Sequence, residues 1–177
     1  LKDDVNSNSS ESLIVTGGQK PAQTEERGEA RDGNFYFIQG DFKTLQTKEA
    51  ISSAILRHRD TSQAGSKAHV IMSDMAPNFT GDKMTDALQT ISLCEDALLF
   101  SIGPDHFFGS HTASADNGML QPGGTFICKY FACGKENERE LVELCRRFFA
   151  TTYFNLKPKA SRKESSELYL VAMGYLL

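Results

Sequence analysis

A chain of 177 residues, 40% hydrophobic and 24% charged, has the size and composition of a single globular domain. Its formal net charge of −4 argues against a protein that binds nucleic acid through bulk positive charge, so we expect any RNA contact to be local. No run of residues approaches the roughly 20 apolar residues of a membrane span. The four cysteines lack the close spacing of a zinc or redox motif, which favours reduced core thiols in an intracellular compartment.

Residues 1–33 are predicted to form a mostly disordered polar leader or insertion, and residues 34–177 the folded part. The leader is rich in Ser, Asn, Asp, Glu, Gln and Gly, and its one apolar patch is Leu13-Ile14-Val15. Such a composition buries too little surface to offset the entropy of ordering the chain. Because the chain begins at Leu1 rather than Met, we expect it to be processed or to be part of a longer protein.

The folded part is predicted to begin with a strand over Phe35–Gln39, which is rich in aromatic and β-branched residues. Gly40, Asp41 and Phe42 then form a turn, which places a carboxylate at the end of the strand. Apolar residues at helical spacing predict an amphipathic helix over Thr47–Arg57.

Val70, Ile71 and Met72 predict a second strand, buried on both faces and parallel to its neighbour. Asp74 comes at the carboxyl end of this strand, and Pro77 prevents the strand from continuing. In open α/β sheets that edge is where ligands bind, so Asp74 is a candidate for chemistry. The alternative is that Ser73 and Asp74 merely begin a surface turn.

A helix follows, capped by Asp82 or Thr85, and its predicted buried stripe comprises Ala87, Leu88, Ile91, Cys94, Leu98 and Leu99. Residues 103–117 then predict an exposed insertion. His106 and His111 in it could suggest a metal site, but no carboxylate or thiol motif surrounds them. We therefore favour a solvated loop and expect no metal.

The strand Thr125–Phe131 contains Lys129, an unexpected residue in so apolar a run. A lysine is costly to bury unless its charge is paired or its proton is lost, and a deprotonated lysine can act as a base. The alternative is a lysine near the strand end that extends to solvent.

The remaining pattern predicts a helix over residues 136–150 and strands over residues 152–156 and 168–173, with Glu167 at the entrance of the last strand. Between those strands lies the one basic cluster, which could equally be a solvated loop. Its basic residues are Lys157, Lys159, Arg162 and Lys163. The alternation of strands and helices predicts an α/β fold with a twisted, mostly parallel sheet and helices on both faces.

Four motifs resemble, in order and spacing, those of the FtsJ-type ribosomal RNA 2′-O-ribose methyltransferases over about residues 34–174. They are Phe37-Ile38-Gln39-Gly40-Asp41-Phe42, Ser73-Asp74-Met75-Ala76-Pro77-Asn78, Pro122-Gly123-Gly124-x-Phe126-x-Cys128-Lys129, and Lys157-Pro158-x-Ala160-Ser161-Arg162-x-Glu164-Ser165-x-Glu167-x-Tyr169. Within this family, the sequence looks closest to the mitochondrial branch, which methylates a uridine of large-subunit rRNA. The likeness to that branch lies in Cys128, in Ser92-Leu93-Cys94 and in residues 157–167.

The resemblance implies a Rossmann-like class I methyltransferase fold, seven-stranded in the family, that uses S-adenosylmethionine. It implies that Lys129 is the general base, that Asp74 and Glu167 complete the catalytic set, and that Asp41, Phe42 and Asp74 contact the donor. The RNA would be bound by the basic cluster. The expected partner is large-subunit rRNA or a pre-ribosomal particle, and the expected state of the complete protein is a monomer.

Nothing in residues 1–33 matches the family's glycine-rich turn, the acidic residue that ends its second strand or its first catalytic lysine. The chain therefore looks like the carboxyl-terminal part of such an enzyme, without the first strands. The rival interpretation is a non-catalytic RNA- or ribosome-binding module that retains the fold. An NAD-linked dehydrogenase ranks lower, because its glycine fingerprint is missing. By family branch we expect a mitochondrial location, with the cytoplasm or nucleus as the alternative.

Overall fold

The computed structural model describes residues 12–16, 35–57, 67–109, 118–162 and 164–177. The chain divides into two compact units, Leu1–Ser66 and Lys67–Leu177. Within the described ranges, no helix is both long enough and apolar enough to cross a lipid bilayer.

The described residues of the first unit form two antiparallel strands and one helix, β1 (Ser12–Thr16), β2 (Phe35–Gln39) and α1 (Leu45–Arg57). Strand β1 differs from the disordered leader expected there, because the apolar patch pairs with β2 in a ladder that satisfies its backbone groups. The division of the chain at residue 33 stays a prediction. Strand β2 and helix α1 confirm the elements predicted from their residues.

The turn between β2 and α1 is compact. Thr47 is buried in the first turn of α1, and a Cβ added to Gly40 would lie 2.5 Å from Thr47 Oγ1. Only glycine fits at position 40 without displacing this threonine. Ile51 and Ala54 continue the buried stripe of the helix.

The described residues of the second unit form a four-stranded sheet in the order β3-β4-β6-β5 and three helices. Its elements are β3 (Ala68–Ser73), α2 (Lys83–Ile102), α3 (Pro104–Phe108), β4 (Leu120–Phe131), α4 (Lys135–Arg146), β5 (Phe149–Leu156) and β6 (Glu167–Tyr175). Strands β3 and β4 are parallel, whereas β6 runs antiparallel to both β4 and β5. The prediction of a mostly parallel sheet is wrong for this unit, because β6 returns from β5 through a short connection and inserts between β5 and β4.

The core of the second unit lies on one face of its sheet. Helices α2 and α4 supply Cys94, Leu98, Leu141 and Cys145, among others, and they pack against alternate residues of β4 and β6. The strand residues in that cluster are Phe126, Cys128, Tyr130, Leu170 and Ala172. Helices α2 and α4 therefore share one face of the sheet of this unit.

Strand β3 is an edge strand, and its residues alternate between the two faces of the sheet. Ile71 packs against the core and Ser73 is buried, whereas the side chains of Val70 and Met72 are 53% and 58% exposed. The prediction that Val70 and Met72 are buried is wrong. A short apolar run does not tell a strand covered on both faces from one covered on a single face.

Asp82 caps the N-terminus of helix α2, because its side chain accepts a hydrogen bond from the Thr85 N–H at 2.8 Å. One of the two predicted caps is thus confirmed. Its predicted stripe is wrong at Leu88, which is exposed, while Thr90 is buried.

The start of the predicted exposed insertion is instead the short helix α3, which packs against the core. The ring of His106 lies 5.5 Å from that of Phe148 and 5.4 Å from that of Tyr175. His106 therefore does not lie in a solvated loop as predicted. His111 lies outside the described residues.

Candidate active site

The ends of β3 and β4 bring Asp74 and Lys129 together. The strands are parallel, with Ser73 opposite Cys128, so Asp74, the first residue after β3, comes next to Lys129 in β4. Lys129 Nζ lies 3.1 Å from Asp74 Oδ1 and donates a hydrogen bond to the Asp74 carbonyl oxygen at 2.6 Å. The lysine side chain is only 13% exposed, whereas that of Asp74 is 68% exposed. Lys129 is thus largely covered and held against Asp74 rather than a lysine that extends to solvent.

Tyr169 joins Glu167 to this pair. It lies opposite Lys129 in the β4–β6 ladder, and its hydroxyl is 2.8 Å from Asp74 Oδ1 and 2.9 Å from Glu167 Oε1. A phenol carries a single proton, so it donates to one carboxylate at a time. Burial, together with the two neighbouring carboxylates, raises the pKa of Tyr169 above its usual value. At neutral pH the hydroxyl therefore remains a donor.

Sequence reasoning missed Tyr169 as a site residue. The signal was present in the alternation of the last strand, since Glu167 and Tyr169 are two residues apart and point to the same face. What the sequence did not provide was the pairing of Tyr169 with Lys129, which depends on the antiparallel register of β6.

Two buried thiols lie behind the lysine. Cys128 Sγ is 3.4 Å and Cys94 Sγ is 3.6 Å from the Lys129 carbonyl oxygen, to which both can donate weak hydrogen bonds. The neighbouring Cys128 thiol and burial together raise the pKa of Cys94 well above its usual value, so its proton is retained at neutral pH. These contacts connect helix α2 to the backbone of β4 at the lysine.

An aromatic pair flanks the lysine head group. Lys129 Nζ is 5.8 Å from the ring centroid of Phe131, within reach of a cation–π interaction. Phe79 packs edge-on against Phe131, with ring centroids 4.8 Å apart, and is itself half exposed. The pair offers an apolar surface beside the charged groups.

A cleft of about 710 Å³ opens beside this network. Glu167 and Tyr169 form part of its lining, and the loop between β5 and β6 forms the rest, including Ser161, Arg162 and Ser165. A volume of this order accommodates a small organic ligand or one nucleotide. The lining of the cleft thus includes two carboxylates, Glu164 and Glu167, and one cation, Arg162.

The basic cluster occupies this same loop. Lys157, Lys159 and Arg162 are exposed, and Lys157 Nζ donates to the Ser165 carbonyl oxygen at 2.8 Å. This hydrogen bond joins the start of the loop to its end. Lys163 lies outside the described residues.

Asp41 and Phe42 belong to the first unit, whereas Asp74 and Lys129 belong to the second. Asp41 is exposed, and its Oδ1 accepts the Lys43 N–H at 2.9 Å. The side chain of Phe42 is buried, so it supports the turn rather than offering a surface to a ligand. Among the described residues, no group of three His, Cys, Asp or Glu side chains could hold a metal ion.

Comparison with known proteins shows the family to which the chain is similar. Residues 14–175 match the family described as FtsJ-like methyltransferase. Proteins named ribosomal RNA large subunit methyltransferase E are similar over 138 residues, 78% of this chain, with 39% identity in Granulibacter bethesdensis and 37% in Rickettsia rickettsii. These alignments cover 48% and 49% of the two relatives, so the chain spans about half the length of the curated relatives it matches.

A crystal structure described as that of a ribosomal RNA methyltransferase from Plasmodium falciparum aligns with a TM-score of 0.41 and 24% identity, covering 62% of this chain and 48% of that one. The family match is much broader, because it includes strands β2 to β6 and every residue of the Asp74–Lys129–Tyr169–Glu167 network. On that match, the chain belongs to the FtsJ-like methyltransferase family.

Proposed function

We propose that the protein containing this chain transfers a methyl group from S-adenosylmethionine to the ribose 2′-hydroxyl of a uridine in large-subunit rRNA. The observation that carries this proposal is the covered lysine Lys129, held 3.1 Å from Asp74 and linked through Tyr169 to Glu167. Family membership supports methyl transfer, and the names of the curated relatives support rRNA as the substrate.

The chemistry requires a base, because a ribose hydroxyl is a poor nucleophile until its proton is removed. Lys129, acting as the free amine, would take that proton and become an ammonium ion as the oxygen–methyl bond forms; the methyl–sulfur bond of the donor would break in the same step and leave a neutral thioether. The Asp74 carboxylate and carbonyl oxygen are already placed to stabilise the ammonium ion. Glu167 would act through Tyr169, which holds Asp74 in place.

The residues present fit a cationic donor in part. When bound, S-adenosylmethionine supplies a methyl group on a positively charged sulfur. Asp74 is an exposed carboxylate at a strand end, which suits such a cation. The donor contacts of Asp41 and Phe42 are proposed from the family resemblance alone, and the side chain of Phe42 is buried.

The RNA would lie over the cleft and its loop. Lys159 and Arg162 are exposed cations, with Lys157 and Lys163 in the same run, and the chain as a whole carries a charge of −4. A local basic loop can attract phosphates where the whole surface cannot. The mitochondrial location is proposed from the family branch alone.

The direct test is a methyl-transfer assay with labelled S-adenosylmethionine, large-subunit rRNA and the protein, followed by mapping of the modified nucleotide. We expect label on a ribose 2′-oxygen and no transfer to RNA whose target ribose is 2′-deoxy. Binding of rRNA without transfer would instead favour a non-catalytic binding module. Transfer to a base would contradict the assignment of Lys129 to a ribose hydroxyl.

A further inference from the structure

Strand β5 contains a bulge at Asn155. Tyr153 lies opposite Val171 and Leu156 opposite Tyr169, so the register with β6 slips by one residue between these pairs. Asn155 has a φ of 55° and, among the described residues, is the one non-glycine residue with a positive φ. Asparagine tolerates this left-handed conformation better than most residues, but it still needs support from its surroundings.

Tyr130 supplies that support. Its hydroxyl donates to Asn155 Oδ1 at 2.5 Å and accepts the Asn155 N–H at 3.0 Å, so one hydroxyl is bonded to both the side chain and the backbone of Asn155. Tyr130 is almost fully buried, and burial raises the pKa of its hydroxyl to about 12. The hydroxyl therefore remains protonated and can donate at any physiological pH.

The bulge lies directly before two functional parts of the second unit. The slipped register places Leu156, the residue after Asn155, opposite Tyr169, whose hydroxyl contacts Asp74 and Glu167. The next residue, Lys157, begins the basic loop, part of which lines the cleft. Bulges beside ligand sites commonly redirect the segment that follows. Tyr130 is also the residue after Lys129, so one strand supports both the proposed base and the bulge.

We propose that Tyr130 and Asn155 are positioning residues for RNA, which fix where the basic loop stands relative to Lys129. This inference rests on the proposed function of that loop in RNA binding. Neither residue touches the RNA in this proposal. Their effect passes through the backbone between Asn155 and Arg162.

The test compares Tyr130→Phe with Tyr175→Phe as a matched control. Tyr175 is equally buried and donates to the Ile102 carbonyl oxygen at 3.2 Å, so its variant loses a buried hydroxyl away from the loop. Two properties are measured on the 177-residue chain, amide hydrogen exchange over residues 155–162 and the dissociation constant for an rRNA fragment.

Tyr130→Phe should accelerate exchange in residues 155–162 and weaken RNA binding about three- to tenfold, as expected for the loss of a hydrogen-bonded support. Tyr175→Phe should do neither. Asn155→Ala should resemble Tyr130→Phe. Asn155→Gly should be milder, because glycine adopts the positive φ without strain and keeps the N–H donor.

Unchanged exchange in Tyr130→Phe would overturn the inference, as would an equal loss of RNA binding in both tyrosine variants. If the wild-type chain binds no RNA, the proposed function of the loop fails. In that case, exchange alone still decides whether Tyr130 positions the loop, and a rise confined to residues 155–162 supports that step.

Discussion

Lys129 Nζ is bound by two oxygens of the same residue, the carbonyl oxygen of Asp74 at 2.6 Å and its Oδ1 at 3.1 Å. The carbonyl contact belongs to the backbone and does not depend on the side chain at position 74. The lysine head group should therefore stay near the strand ends even when the carboxylate is replaced. This separates the position of the amine from the charge beside it.

Lys129→Ala should lower methyl transfer about a hundredfold or more, the range expected when a general base is lost. Donor binding should stay within a few-fold of wild type, because the proposed donor contacts are made by Asp41 and Asp74. The measurements are single-turnover transfer and calorimetric titration with S-adenosylmethionine. The control is Arg146→Ala, which removes an exposed cation at the C-terminal end of α4. Near-normal transfer by the alanine variant would show that Lys129 is not the base.

Tyr169→Phe should lower kcat about tenfold, the cost expected for losing one hydrogen bond to a charged group. The loss is smaller than for Lys129→Ala because the Asp74–Lys129 pair remains. The Michaelis constant for the donor should change little. Steady-state kinetics measure both quantities, with Tyr175→Phe as the matched variant. A loss as large as that of Lys129→Ala would assign Tyr169 a direct part in the chemistry.

Replacing Lys159 and Arg162 together by Gln should weaken RNA binding and flatten its salt dependence. Each lost phosphate contact lowers the slope of log K against log salt by about 0.7 for single-stranded RNA. Fluorescence anisotropy titrations at several salt concentrations measure the slope. The double variant Arg146→Gln and Arg147→Gln removes the same charge elsewhere on the surface. An equal change of slope in both double variants would mean that the basic loop has no special part in RNA binding.

The stability of the second unit should fall in alkaline solution as its buried thiols ionise. Burial raises the pKa of Cys145 from 9.0 to about 12, with a smaller contribution from Cys128. The unfolded thiol loses its proton first, so the stabilisation is complete below pH 9 and is lost as the pH rises toward 12. Above pH 9, this thiol should therefore lower the free energy of unfolding by about 1.4 kcal/mol per pH unit.

Urea unfolding of Cys145→Ala between pH 8 and pH 10.5 measures this contribution. The free energy of unfolding of the variant should depend less steeply on pH than that of the wild type. Leu144→Ala, a neighbouring substitution without an ionisable group, should lower stability equally at every pH. Parallel curves for Cys145→Ala and the wild type would show that this thiol ionises alike in the folded and unfolded chains.

Met72→Lys should change the free energy of unfolding by about 0.5 kcal/mol or less, the usual range for an exposed position. Leu170→Ala, in the core, should cost about 2 to 5 kcal/mol. The lysine should also reduce self-association, because charges on an edge strand discourage pairing with another chain. Chemical unfolding and light scattering test the two expectations. A large loss of stability in Met72→Lys would mean that this face is covered in solution.

The site was partly predictable because Asp74 follows the end of one apolar strand and Lys129 lies near the end of another. Parallel strands bring such ends to one edge, so residue type and position together were sufficient. The order of the motifs also indicated the family, which the match over residues 14–175 confirms. Strand β2, helix α1 and the Asp82 cap followed from local patterns in the same way.

Features that depend on pairing between distant strands were not predictable. Nothing local distinguishes Val70 in an edge strand from a valine in a central one. The contact of Tyr169 with Asp74 needs the register of β6, and the bulge at Asn155 needs a tyrosine 25 residues earlier in the chain. The roles of Asp41 and Asp74 toward the donor stay predictions.

The two thiols behind Lys129 provide a measure of how often the site opens. Cys94 comes from helix α2 and Cys128 from β4, and both thiols are buried in contact with the carbonyl oxygen of Lys129. A thiol reagent can reach them only when the helix separates from the strand, so their labelling rate under native conditions reports the free energy of that local opening. Comparing this rate with and without donor and RNA would show whether ligands stabilise the sheet beneath the lysine or bind without affecting it.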